Sequence, residues 1–121
     1  MTDELYERAV AVAERAYAPY SKYLVGAVVR ARDGRVFEGV NVENAAYPLG
    51  ICAERAAVAR AVAEGCRPGD LEAMGITASP CGGCRQWLHE FGFARVTFKN
   101  ANGDLVTYTP AELLPETWDL P

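Results

Sequence analysis

The chain of 121 residues has no apolar run long enough to cross a bilayer. Its start, Met1-Thr2-Asp3-Glu4, is acidic and carries no signal-peptide pattern. No membrane association is expected, and a cytoplasmic, reducing setting is. Lysine is scarce, with two against ten arginines. The cations are scattered without a basic run, and the formal net charge is −4. Binding a polynucleotide backbone needs clustered positive charge, so no nucleic-acid partner is expected. The one histidine, His89, has no spacing that would make it a ligand and reads as structural or exposed. Repeats, low-complexity segments and long linkers are absent. With half its residues hydrophobic, the chain reads as one domain, 1–121, with a core that needs no disulfide.

Four cysteines are present, Cys52, Cys66, Cys81 and Cys84. In a reducing compartment they favour metal binding over disulfides. Cys52-Ala53-Glu54 and the later Pro80-Cys81-Gly82-Gly83-Cys84 offer three thiolates and one carboxylate. A structural zinc takes four protein ligands, whereas a catalytic zinc leaves one position to water. The set therefore reads as a water-activating site with an acid/base group beside it. A Cys-x-x-Cys alone is weak, because it also suits a redox pair or two buried small hydrophobes. The upstream Cys-Ala-Glu turns the balance. Glu54 alone would read as a solvated glutamate, and its side chain diverges from that of Cys52 by about 200° on a regular helix. Both serve one site only if Cys52 lies at the helix start. Three thiolates outweigh the charge of Zn²⁺, and Arg55 is expected to offset the excess by donating to the sulfurs, although it could be a surface residue. Cys66 fits no motif and reads as a bystander.

Hydrophobic periodicity predicts helices over 3–17, 52–64 and 81–91 and a short one over 110–114. Strands are predicted over 24–31, 36–42, 71–78, 94–99 and 105–109. Asp33-Gly34 is a hairpin signal, so the first two strands should be antiparallel neighbours. The 100–104 connection is too short for a crossover, so the last pair should be antiparallel too. The second helix is apolar nearly all round and is expected to be buried. This order, α-β-β-α-β-α-β-β with a small terminal helix, implies an α/β fold: a three-layer α-β-α sandwich around a mixed five-stranded sheet. Two cysteine motifs at helix starts should gain thiolate character from the helix dipoles.

Several motifs in order carry a resemblance: Ala18-Pro19-Tyr20-Ser21-Lys22-Tyr23 with Val25-Gly26-Ala27, Gly39-Val40-Asn41-Val42-Glu43-Asn44-Ala45, Cys52-Ala53-Glu54-Arg55, Ser79-Pro80-Cys81-Gly82-Gly83-Cys84-Arg85-Gln86, and Glu112-Leu113-Leu114-Pro115. The chain resembles the small, homotetrameric, zinc-dependent cytidine deaminases. The resemblance implies one Zn²⁺ per subunit on Cys52, Cys81 and Cys84. It implies that Glu54 takes a proton from an activated water, delivers it to N3 as C4 is attacked, and then serves the loss of ammonia. The substrates would be the nucleosides cytidine and 2′-deoxycytidine, in pyrimidine salvage. The Ala53 backbone and the Ser79 carbonyl would hold the base, and Asn41 and Glu43 the ribose hydroxyls. Tyr23 stands where the family has a stacking phenylalanine. Tyr47 and Trp118 match positions that reach a neighbouring subunit's site. Trp118 replaces a phenylalanine, and Pro48 replaces the glycine after Tyr47. Trp87 reads as packing.

Blasticidin-S deaminase shares the cysteine and glutamate motifs, but the Asn41/Glu43 pair argues for a nucleoside. Acidic charge argues against a polynucleotide deaminase, and Cys52 in place of histidine against a nucleotide deaminase. A purely structural zinc would need Cys66 as a fourth ligand.

Overall fold

The computed structural model describes residues 3–120. Five strands, β1 (Gly26–Ala31), β2 (Val36–Val40), β3 (Leu71–Ile76), β4 (Arg95–Lys99) and β5 (Leu105–Tyr108), form one sheet in the order β2-β1-β3-β4-β5. Only the β3–β4 pair is parallel. The helix between them, α3 (Gly82–Phe91), is the crossover that such a pair requires. Both expected antiparallel hairpins are present, β1–β2 and β4–β5. The mixed five-stranded sheet stands as the sequence predicts.

Alternation along β1 assigns the layers. Val28 packs with Leu5 and Ala9 of α1 (Glu4–Ala13) and with Ala73. Ala27 and Val29 join the larger cluster with Ala57, Val58 and Ala61 of α2 (Ala53–Ala63) and Leu88 of α3. Each fully buried valine, leucine or isoleucine contributes about 1.5–3 kcal/mol. Helix α4 (Pro110–Leu113) starts in a capping box between Thr109 and Glu112.

Boundaries differ from the sequence reading where loop hydrogen bonds compete with regular structure. Helix α1 stops at Ala13, not residue 17. Arg15 donates to the Val12 carbonyl, which tightens the last turn, and the Tyr17 backbone pairs instead with Asn41 and Glu43. Strand β1 starts at Gly26 because the Val25 N–H is held by the Asn41 side chain. Strand β2 ends at Val40, and Val42 makes an isolated bridge to Ile51. Strands β3 and β5 end at Ile76 and Tyr108, before residues 78 and 109. A 3₁₀ turn at Tyr47–Leu49 has no counterpart among the expected elements. Helix α2 is buried on one face only: Ala53, Glu54, Ala57, Val58 and Ala61 are buried, while Ala59 and Ala63 are exposed.

The registers Gly26↔Val40 and Ala27↔Ile76 put the start of β1 and the ends of β2 and β3 at one edge of the sheet. Segments 20–25, 41–52 and 77–81 therefore meet there. Close packing of α2 on β2 sets where the second of them ends. A Cβ on Gly39 would lie 2.3 Å from the Ala57 nitrogen and 2.6 Å from the Ala53 oxygen, so only glycine fits. Replacement Gly39→Ala should push α2 off the sheet and cost about 1–3 kcal/mol in urea unfolding, as overpacking of a core does. An unchanged unfolding midpoint would refute this packing constraint.

Candidate active site

The meeting edge opens into a cavity of about 760 Å³. Cys52 is the N-cap of α2, with extended backbone (φ −76°, ψ 153°), so it does not follow the helical rotation that would aim it away from Glu54. Cys81 is the N-cap of α3, and Cys84 lies one turn in and is fully buried. The two helix starts converge, and the sulfurs of Cys52, Cys81 and Cys84 all lie within 4.8 Å of one another. Among the described residues, Cys66 is the remaining thiol. It sits in the large core cluster, with Arg35 Nη2 3.4 Å from its sulfur, and it does not join the group. The cluster has three sulfurs and no fourth cysteine.

The thiols are not equivalent. Burial pushes the Cys81 thiol up, but the backbone N–H of Cys84, which donates to its sulfur at 3.4 Å, and the neighbouring thiols outweigh it. The net pKa lies below that of an ordinary cysteine. Burial pushes Cys52 and Cys84 up, and for Cys84 the nearby Glu54 charge adds to it. The protein's own groups therefore favour the thiolate only at Cys81, through the Cys84 N–H and the neighbouring thiols, and not at all three as expected from the helix starts. A cation among the sulfurs is what would bring the other two to thiolates. Three sulfurs bound to one zinc at about 2.3 Å lie about 3.8 Å apart in a tetrahedral site, which sulfurs all within 4.8 Å of one another can meet. The soft, three-donor set fits zinc, with one position left to a non-protein ligand.

Glu54 is 5 % exposed and lines the cavity. Its burial raises the carboxyl pKa, against its own backbone N–H, the Cys84 thiol and the Arg55 charge, which lower it. Arg55 reaches the cluster: its Nη2 is 3.9 Å from Cys81 Sγ. Burial works against its charge, but the thiols of Cys84, Cys52 and Cys81 outweigh that and hold it protonated. Its Nε is buried without a partner. Gly83 leaves it room, since a Cβ there would stand 2.1 Å from Nη2. The expected contact between Arg55 and the sulfurs is thus present.

Tyr23, Asn41, Glu43, Tyr47, Ala53 and Ser79 all line the same cavity. Trp118 does not. It is 68 % exposed, and its carbonyl accepts from Gln86 Nε2 on α3 at 3.3 Å. Tyr47 is 91 % exposed on the 3₁₀ turn beside Pro48. Trp87 stacks on Phe91 and packs against the core, as expected, and His89 Nε2 pairs with Asp119 at 2.7 Å.

Two contributors escape sequence reasoning. Arg85 donates to the Pro80 carbonyl, the Leu113 carbonyl and Ser79 Oγ, and so fixes the approach to Cys81. Ser21 donates to the Glu43 carboxylate and accepts from the Tyr23 N–H. Both stand inside quoted motifs, but nothing in the spacing assigns them these partners.

Residues 1–100 match the family model described as the cytidine and deoxycytidylate deaminase zinc-binding region. The chain belongs to the cytidine and deoxycytidylate deaminase family. Within this family it is 42 % identical to a cytidine deaminase of Halalkalibacterium halodurans over 92 % of the chain and 89 % of that protein. It is 44 % identical to one from Sporosarcina psychrophila over 84 % and 79 %. The crystal structure of cytidine deaminase from Burkholderia pseudomallei superposes with a TM-score of 0.89 at 42 % identity, covering 98 % of this chain and all of that one.

For this family member, Arg55→Ala removes the cation that stands beside Cys81 Sγ. Zinc retention against a chelator should fall about 10–100-fold, as for other groups that support metal ligands, whereas Cys66→Ala should leave it unchanged. Equal retention in all three proteins would reduce Arg55 to a packing role.

Proposed function

We propose that the protein is a zinc-dependent hydrolase that converts cytidine and 2′-deoxycytidine to uridine and 2′-deoxyuridine with release of ammonia. The observation that carries this reading is a buried carboxyl, Glu54, in the same cavity as three convergent thiols. The high identity to cytidine deaminases over most of the chain supports the substrate.

Cys52, Cys81 and Cys84 would hold the zinc, which when bound supplies the acidity that makes water a nucleophile near neutral pH. The carboxylate of Glu54 accepts the proton that this water gives up. The same carboxyl, buried beside the base, then delivers that proton to N3 of the pyrimidine as C4 becomes tetrahedral. The carboxylate, free again, then takes the proton of the new C4 hydroxyl and passes it to the amine, which leaves as ammonia while the C4 carbonyl forms. The Ala53 backbone and the Ser79 carbonyl orient the base, Tyr23 stacks on it, and Asn41 and Glu43 receive the sugar hydroxyls. Arg55 offsets the charge of the sulfurs.

The cavity mouth is rich in exposed apolar surface, including Tyr20, Tyr23 and Tyr47. Such a rim supports a homotetramer in which Tyr47 and Trp118 complete a neighbour's site. A cytoplasmic place in pyrimidine salvage is in keeping with a nucleoside substrate. Among the described residues no helix is long and apolar enough to cross a membrane.

Metal-analysed protein should lower the ultraviolet absorbance of cytidine and release ammonia. Glu54→Gln should retain zinc yet lose activity by at least about 10²-fold, the lower end of what a positioned acid/base contributes. Zinc-replete protein inert toward cytidine would overturn the reading, and turnover of blasticidin S alone would reassign it. Light scattering should give four times the chain mass, and a monomer would remove the shared-site model.

A further inference from the structure

The segment from Tyr20 to Val25 is bound to the site almost wholly through two side chains. Glu43 Oε1 accepts the Tyr20 and Ser21 N–H groups, each at 3.0 Å, and Oε2 accepts the Ser21 hydroxyl. Asn41 accepts the Val25 N–H at 2.9 Å and donates to the Tyr23 carbonyl at 2.9 Å. The Ser21 oxygen in turn accepts the Tyr23 N–H at 3.0 Å. A serine hydroxyl has one proton. Here it goes to Glu43, so the lone pair facing Tyr23 is fixed in direction. Between them stands Lys22 at φ +62°, a left-handed conformation that a lysine adopts only when its neighbours impose it. Its own N–H is held by the Ala18 carbonyl at 3.0 Å, and the Ser21–Glu43 and Tyr23–Ser21 bonds on either side complete the constraint.

We infer that Ser21 is a positioning residue that couples the two halves of substrate recognition, aiming the Glu43 carboxylate at the sugar and setting the backbone that carries the Tyr23 ring. A carboxylate has about four acceptor sites. Three on Glu43 are filled from the 20–21 segment, which leaves a single direction open for a sugar hydroxyl. Without the Ser21 hydroxyl the carboxylate can rotate, the Tyr23 N–H loses its acceptor, and the strained turn at Lys22 relaxes. The inference rests on the reading of Glu43 as a sugar contact.

KM and kcat for cytidine and for 2′,3′-dideoxycytidine, which lacks both ring hydroxyls of the sugar, test it. Zinc content and Tm are followed in parallel. Ser21→Ala should raise KM for cytidine about tenfold (~1.4 kcal/mol), raise that for the dideoxynucleoside much less, and leave kcat nearly unchanged. Ser21→Thr, which restores the hydroxyl, should recover most of the loss. Where Ser21→Ala does not fold, Ser21→Cys, a weak donor, should give the same split between substrates. An equal factor for both substrates, a dideoxynucleoside KM that does not move although Tyr23 has lost its support, or no change at all, would overturn the coupling. Glu43→Gln separates the two ideas. If it leaves the preference for cytidine over the dideoxynucleoside intact, the sugar reading and the coupling fall together. If it removes that preference while Ser21→Ala does not, only the coupling falls.

Discussion

Three sulfurs and a carboxylate crowd the junction of two helix starts, and like groups so placed resist ionising together. The arrangement around them answers that resistance. Helix α2 delivers Cys52 from its N-cap and Glu54 from its first turn, and α3 delivers Cys81 and Cys84. The Cys84 N–H donates to Cys81, and Arg55 brings the nearby positive charge. Only one of the three thiols is drawn toward thiolate by these means alone. The others wait for a cation, so the protein scaffold and the metal complete one another electrostatically.

Positions of the helix starts follow from packing at the sheet. With no Cβ at Gly39, α2 lies directly on β2, and the β3–α3–β4 crossover sets α3 on the same face. Arg85 ties the Ser79–Pro80 segment to the end of α4. The metal-ligand side of the cavity is thus built on regular elements, where side-chain geometry is held tightly. The opposite wall is loop, and it gains rigidity from Glu43 and Asn41, whose side chains take the place of missing ladder bonds.

Much of this was legible from residues alone. The five strands, the main helices and both antiparallel hairpins follow from hydrophobic periodicity and turn chemistry. The metal cluster follows from spacing, because Cys-x-x-Cys at a helix start brings both thiols to one place. The ends of elements were not legible. Tyr17, Val25 and Val42 have helix- or strand-like patterns, yet their backbone groups bond across loops that no local window can see. The 3₁₀ turn at Tyr47–Leu49 is three residues long and has no periodicity to detect. Burial of α2 was overstated because alanine is ambiguous: Ala57 and Ala61 are core, while Ala59 and Ala63 face out. Hydrogen bonds of Ser21 and Arg85 are long-range and leave no imprint on spacing.

The three thiols also differ in how far apart the chain holds them before it folds. Cys81 and Cys84 are neighbours within a single turn, so they can meet at little entropic cost even in a loose chain. Cys52 reaches them only when a loop containing all of α2 and β3 has closed, and closure costs more as the loop lengthens. Of the three, Cys52 is the ligand that reaches across the longest stretch of chain. A metal held by all three would therefore tie the start of α2, and Glu54 with it, to the start of α3 across that loop, and act as a cross-link of the fold as well as a reagent.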